Sequence, residues 1–176
     1  SIISSQFVQK LKDYVDFVTV CPEVEIGLGI PREAVRLVKR DDQILLLNSM
    51  TGEDHTFAMK NFSEKYLKDI ENVNGFILKS RSPSCGIKEV KLYKQTGKVP
   101  AMSSKSSGVF AQAVQDSFGF LAVEDEGRLT NLQIREHFLT KLYILTNFED
   151  LEHKSGVLVK FHSQNKYLLN SYENNL

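Results

Sequence analysis

The chain has 176 residues, enough for one α/β domain with a sizeable core. Lys plus Arg equals Asp plus Glu at 22 each, so overall charge gives no support for a polyanionic partner, although a local basic patch is compatible with it. No run approaches the roughly 18 apolar residues of a membrane span, and no basic-then-apolar secretory leader opens the sequence; the expected compartment is the cytosol.

Phe7, Val8, Leu11 and Tyr14 recur at helical spacing and predict a helix over 5–13, with Ser4 or Ser5 as its N-cap. An α/β domain that opens on a helix has either lost a first strand from the sequence or never had one. VDFVTV over 15–20 then predicts a strand that delivers Cys21, Pro22 and Glu23 at its carboxyl end. Gly27 and Gly29 have the look of a dinucleotide fingerprint, but Pro31 and Arg32 stand where the third glycine and the opening helix belong, which excludes it. A long loop over a site is expected instead. Glu23, two residues from Cys21, has a better claim to chemistry than Glu25, and Arg32 is placed to meet an anion.

Val35, Leu37 and Ile44 to Leu47 flank the polar turn Lys39 to Gln43, which predicts a hairpin. Thr51 to Asp54 supply a turn and a cap for a helix carrying Phe57, Phe62, Tyr66, Leu67 and Ile70; Asn74-Gly75 ends this βαβ crossover. The return strand, Phe76 to Leu78, opens into the loop KSRSPSCG. There Pro83 biases Ser82 towards extended backbone and Gly86 permits a close approach. In an open α/β sheet, ligands bind beyond the carboxyl ends of the strands, so Ser82, Ser84 and Cys85 should meet Cys21 and Glu23 at one edge.

Val90 and Leu92 alternate with Glu89, Lys91 and Tyr93 as a short extended segment, and Ser103 to Ser107 reads as a small polar loop. Gly108 to Phe118 predicts a helix and Phe120 to Val123 a strand, followed by Glu124, Asp125 and Glu126 as a solvated turn. Residues 130–145 predict a long helix capped by Thr130 or Asn131, and 155–169 a second one. The expected fold is an open, mainly parallel sheet in three Rossmann-like layers, with a C-terminal helical extension. The expected division is an α/β domain over 1–148 and a linker with the first helix of a helical domain over 149–176.

Cysteine thiolates are soft ligands suited to iron-sulfur clusters, zinc or copper, but two are too few to ligate a 4Fe-4S cluster fully, and no close pair makes a zinc site. His55, His137, His153 and His162 are scattered and read as surface or packing residues. Neither cysteine has a histidine near it in sequence, which weakens a thiol nucleophile or a Cys21–Cys85 redox couple. A structural or RNA-positioning module with buried thiols stays open.

VCPEVEIGLGIPRE, LKSRSPSCG, SGVFAQAV and VEDEGRL together resemble the thiouracil desulfidase family, once grouped as a domain of unknown function, from about Ser5 to Phe148. The tail, LVKFHSQNKYLL, resembles the opening helix of a helical domain in longer relatives that remove sulfur from 4-thiouridine in tRNA. The resemblance implies a 4Fe-4S cluster held by three cysteines, two of them matched by Cys21 and Cys85. The third belongs to a first strand that this sequence does not contain, so the chain as written is expected to be an inactive fragment without a stable cluster. It also implies non-redox chemistry on a thiolated uracil, free or in tRNA: an open iron takes the thiocarbonyl sulfur, Glu23 acts as acid/base and Ser82 as the orienting donor. Ser84, Arg32 and Arg81 are the further candidates for substrate contact.

Overall fold

The computed structural model describes residues 3–151 and 154–173. In chain order the elements are α1 (Gln6–Leu11), α2 (Pro22–Glu25), β1 (Val35–Arg40), β2 (Gln43–Asn48), α3 (Thr56–Asp69), β3 (Gly75–Leu78), β4 (Val90–Tyr93), β5 (Ser103–Ser106), α4 (Val109–Phe118), β6 (Ala122–Asp125), α5 (Leu132–Glu149) and α6 (Ser155–Glu173). The fold is α/β with flanking helices and two C-terminal helices, and its sheet is mixed rather than mainly parallel. β1 pairs antiparallel with β2 and parallel with β4, which pairs antiparallel with β5; β3 and β6 form a separate parallel pair.

Three expectations change for physical reasons. Val15 to Val20 is not a strand: among the described residues no backbone hydrogen bond outside helices and strands holds residues 16–20. Apolar content favours a strand, yet a ladder also requires a neighbour. Ser103 to Ser106 is a strand despite its polar sequence, because an edge position needs only one paired side and little apolar surface. The helix after β2 does not close a crossover within one sheet: α3 carries the chain from the four-stranded sheet to the β3–β6 pair. His153 and residues 174–176 of the predicted polar tail lie outside the described residues.

Two apolar clusters hold this arrangement. Leu37, Leu46, Met59, Val90, Phe110 and Val114 pack the larger sheet against α3 and α4, with Phe62, Tyr66 and Phe110 in ring contact at centroid distances of 5.4–6.1 Å. Leu11, Ala122, Leu129 and Phe138 bury the β3–β6 pair under α1 and α5. α6 meets α5 through Phe148 and Phe161, 5.7 Å between centroids. The β3–β6 approach is close enough that a Cβ on Gly75 would lie 2.6 Å from the Ala122 carbonyl oxygen.

Side-chain bonds meet the heads of α5 and α3, whereas Ser5 at the head of α1 makes no side-chain cap bond. Asn131 Oδ1 accepts from Gln133 and Ile134 N–H at the head of α5, and Asp54 Oδ1 accepts from Thr56 N–H, 2.8 Å, at the head of α3. Burial works to raise the Asp54 pKa, but its bonds from Thr56, with His55 and Arg40 nearby, bring it below the usual carboxylate value. A depressed carboxylate stabilises the fold fully above its unfolded pKa, about 3.9, and loses that contribution as pH falls through the lower folded value. Asp54→Ala is therefore expected to cost about 1 kcal/mol at neutral pH. In denaturant melts taken at stepped pH, the gap to wild type should close at the acid end; a gap independent of pH would contradict the cap.

Candidate active site

Cys21 stands at the head of α2 with an extended backbone, φ −120° and ψ 98°, and Pro22 occupies the first helical position. Proline suits that place because its φ is pre-set and its missing N–H has no partner there to lose. The single turn carries Glu23. After α2 the chain passes Gly27 (φ +88°) and Gly29 (φ +69°), both left-handed, and the cis Ile30–Pro31 bond, then returns Arg32 to Glu23. Arg32 Nε donates to Glu23 Oε2 at 2.7 Å, Nη1 to the Gly29 carbonyl at 3.1 Å and Nη2 to Cys21 Sγ at 3.5 Å. Burial opposes the Arg32 charge, yet its bond to Glu23 and the neighbouring Cys21 lift its pKa above the ordinary value.

The second loop enters from β3. Ser84 is fully buried; its Oγ donates to Glu23 Oε1 at 2.8 Å, and its carbonyl accepts from Phe110 and Ala111 N–H in the first turn of α4. Ser82 Oγ accepts from Ser84 and Cys85 N–H, 3.2 Å each. A hydroxyl has two acceptor sites and one donor, so with both acceptors taken, the Ser82 O–H remains to bond the Cys85 thiol. Burial pushes the Cys85 thiol up to about 12, Glu23 and Cys21 push the same way, and the Ser82 bond offsets them in part. Both cysteines are free thiols.

The structure thus brings Cys21, Glu23, Arg32, Ser82, Ser84 and Cys85 into one cluster, although no strand pairing joins the two loops. The hydroxyl bonded to Glu23 is that of Ser84, while Ser82 serves the loop and Cys85. Arg81 stands apart, mostly exposed and paired with Glu89 at 3.5 Å.

Residues 1–126 match the protein family described as 2-thiouracil desulfurase. The chain belongs to the 2-thiouracil desulfurase family. It is 33% identical over 91 residues to an uncharacterized protein of Bacillus subtilis (strain 168), YbbK; that match covers 47% of this chain and 60% of YbbK. The chain therefore spans 60% of the length of that curated relative. A solved structure described as a 4Fe-4S-dependent thiouracil desulfidase, TudS, shares the fold at a TM-score of 0.53 and 21% identity, over 77% of this chain and 83% of that one.

For a member of the desulfurase family, the question is whether these residues suit an iron-sulfur cluster. Two half-buried free thiols form a soft donor set, which fits such a cluster in kind. Among the described residues no group of three or more His, Cys, Asp or Glu is arranged to hold a metal ion.

Two parts of this site escape a reading of the sequence. The acid run that closes β6 is not a solvated turn: Asp125 is 2% and Glu126 7% exposed, and Glu124 takes both Nε and Nη2 of Arg128. Gly108 is the second. A Cβ there would lie 2.4 Å from the Ser84 carbonyl carbon and 2.5 Å from its oxygen, so only glycine lets α4 start against the cysteine loop. Its backbone N–H also donates to the Gly86 carbonyl at 2.7 Å. Gly108→Ala is expected to cost about 1–3 kcal/mol by forcing backbone apart. Denaturant unfolding checks this, and a variant as stable as wild type would mean that the loop yields freely.

Proposed function

We propose that this chain is an iron-sulfur-dependent desulfidase domain that removes sulfur from a thiolated uracil, with 4-thiouridine in tRNA as its substrate. The observation that carries the reading is the Glu23 carboxylate, held between Arg32 and Ser84 beside two thiols in a chain of the 2-thiouracil desulfurase family. Exchange of a thiocarbonyl for a carbonyl is hydrolysis: water brings the oxygen, sulfide leaves, and no electrons are transferred.

Cys21 and Cys85 would hold the cluster, with the Ser82 hydroxyl bonded to the Cys85 sulfur and Arg32 Nη2 on that of Cys21. Bound there, a cluster with an open iron supplies a Lewis acid for sulfur. Glu23 does the proton work. Each of its oxygens accepts one bond from the protein, Oε2 from Arg32 and Oε1 from Ser84, which leaves acceptor capacity on both for a water. Those two bonds fix the carboxylate plane, so the water is oriented as well as deprotonated. The proton gained by Glu23 then returns to the ring nitrogen or to the departing sulfide. A base inside folded RNA must be unstacked to reach this cluster of residues.

Anaerobic reconstitution with iron, sulfide and a small-molecule thiol as additional donor is expected to leave iron and acid-labile sulfide on the wild-type chain. Cys21→Ala and Cys85→Ala should each remove them, and equal iron on all three proteins would sink the reading. Glu23→Gln is expected to keep iron while lowering kcat for loss of the thiocarbonyl absorbance by about 10²–10⁴-fold. Thiolated tRNA and free 4-thiouracil are assayed side by side, and turnover of the free base alone would reject the tRNA assignment.

A further inference from the structure

Glu126 takes no part in the chemistry above, yet its buried carboxylate accepts three hydrogen bonds. It lies just past β6, 7% exposed, where its N–H extends the β3–β6 ladder by one bond to the Leu78 carbonyl, 3.2 Å. Its carboxylate reaches back over the end of β3. Oε1 accepts from Lys79 Nζ at 2.5 Å and from Ser80 Oγ at 3.2 Å; Oε2 accepts from Ser80 N–H at 2.7 Å. All three donors belong to the first two residues of the loop that carries Ser82, Ser84 and Cys85. A buried carboxylate costs stability unless it is paired, and here each oxygen has a partner. Burial works to raise the Glu126 pKa, but Lys79 and Ser80 outweigh it and keep the group ionised.

The far end of the same loop is held independently. Ser84 and Pro83 carbonyls accept from the first N–H groups of α4, and Gly86 N–H donates to the Ser82 carbonyl at 2.8 Å. Only Arg81, left-handed at φ +57°, separates the two fastened ends before Ser82. A residue other than glycine holds that conformation only when its surroundings impose it. The clamp at Lys79 and Ser80 is one such constraint, and the Ser82 bonds are the other.

We propose that Glu126 is a positioning residue that fixes the departure of the 79–86 loop from β3, and so sets where Ser82 and Cys85 stand opposite Cys21. Its consequence for turnover rests on the desulfidase reading above; its consequence for the loop does not. Glu126 touches neither cysteine and acts through Ser80.

The test measures iodoacetamide alkylation of each cysteine by mass spectrometry, on the iron-free chain well below its melting temperature. The proteins are wild type, Glu126→Gln, Lys79→Met and a control, Leu47→Ala, which opens a fully buried position of β2 outside both apolar clusters. Releasing the clamp should raise the Cys85 rate relative to Cys21 by about tenfold in Glu126→Gln, through local opening of the loop. Lys79→Met should give a smaller rise, since the Ser80 bonds remain. Leu47→Ala should leave the ratio at its wild-type value despite its lower melting temperature. A ratio in Glu126→Gln no higher than in the control overturns the proposal. Should Glu126→Gln fail to fold, Lys79→Met decides by the same criterion. If wild type shows no desulfidation at all, the functional reading fails while the alkylation ratios still judge Glu126.

Discussion

One carboxylate shared between two loops is the constraint on which the site depends. Glu23 sits on the turn that follows Cys21, and its oxygens are divided between Arg32 on its own loop and Ser84 on the loop that carries Cys85, 61 residues away. With its side chain 14% exposed and that of Arg32 13%, this is a pair largely removed from water. Such a pair gains little over an apolar substitute, whereas loss of one partner leaves a charge stranded at a cost of several kcal/mol. The sequence therefore cannot drift at Glu23, Arg32 or Ser84 one at a time without disturbing the meeting of the cysteines. That is a statement about specificity more than about net stability.

The constraint reaches outward because the loops themselves are braced by backbone. Ser84 is pinned by the head of α4, and α4 can approach only because position 108 is glycine. α4 in turn supplies Phe110 and Val114 to the main core, so the position of Ser84 is tied to the packing of α3 and the four-stranded sheet. On the other side, Glu126 joins the loop to β6, which belongs to the second core with Leu129 and Phe138. The loop of Ser82 and Cys85 thus spans the seam between two hydrophobic clusters. Each cluster fixes one end, and neither alone would determine the loop's conformation.

The sequence made this arrangement legible in part. The hairpin of β1 and β2, α3, α4 and α5 with its Asn131 cap stand where hydrophobic period and turn residues put them, because local spacing decides such elements. What period cannot decide is pairing. Val15 to Val20 has the composition of a strand and no ladder, and Ser103 to Ser106 has the composition of a loop and pairs with β4. Among the chemical residues, the two cysteines and Glu23 were visible as rare or well-placed groups at the ends of apolar runs. Glu126 was not, since three consecutive acids look like a surface turn until the backbone carries the third one back over β3. The same holds for Gly108, whose value lies in a contact with Ser84 that no local pattern records.

The state of the thiols also separates the competing chemistries. A thiol that attacks a carbonyl or a disulfide must be ionised at working pH, which ordinarily requires a histidine, a lysine or a helix head to stabilise the thiolate. Cys85 has the opposite surroundings: burial, Glu23 and Cys21 all favour the neutral form and push it up to about 12, and the Ser82 hydroxyl opposes them in part. As a nucleophile or a redox partner it would be almost wholly protonated. A soft metal centre changes that balance, because a coordinating thiol is deprotonated by the cation itself. The surroundings that disable Cys85 as a free thiol are no obstacle to it as a ligand. Arg32, already against Cys21 Sγ, then offers a fixed positive charge to a site that gains negative charge as its thiols ionise. At Cys85, the electrostatics are therefore those of a ligand rather than of a catalytic thiol.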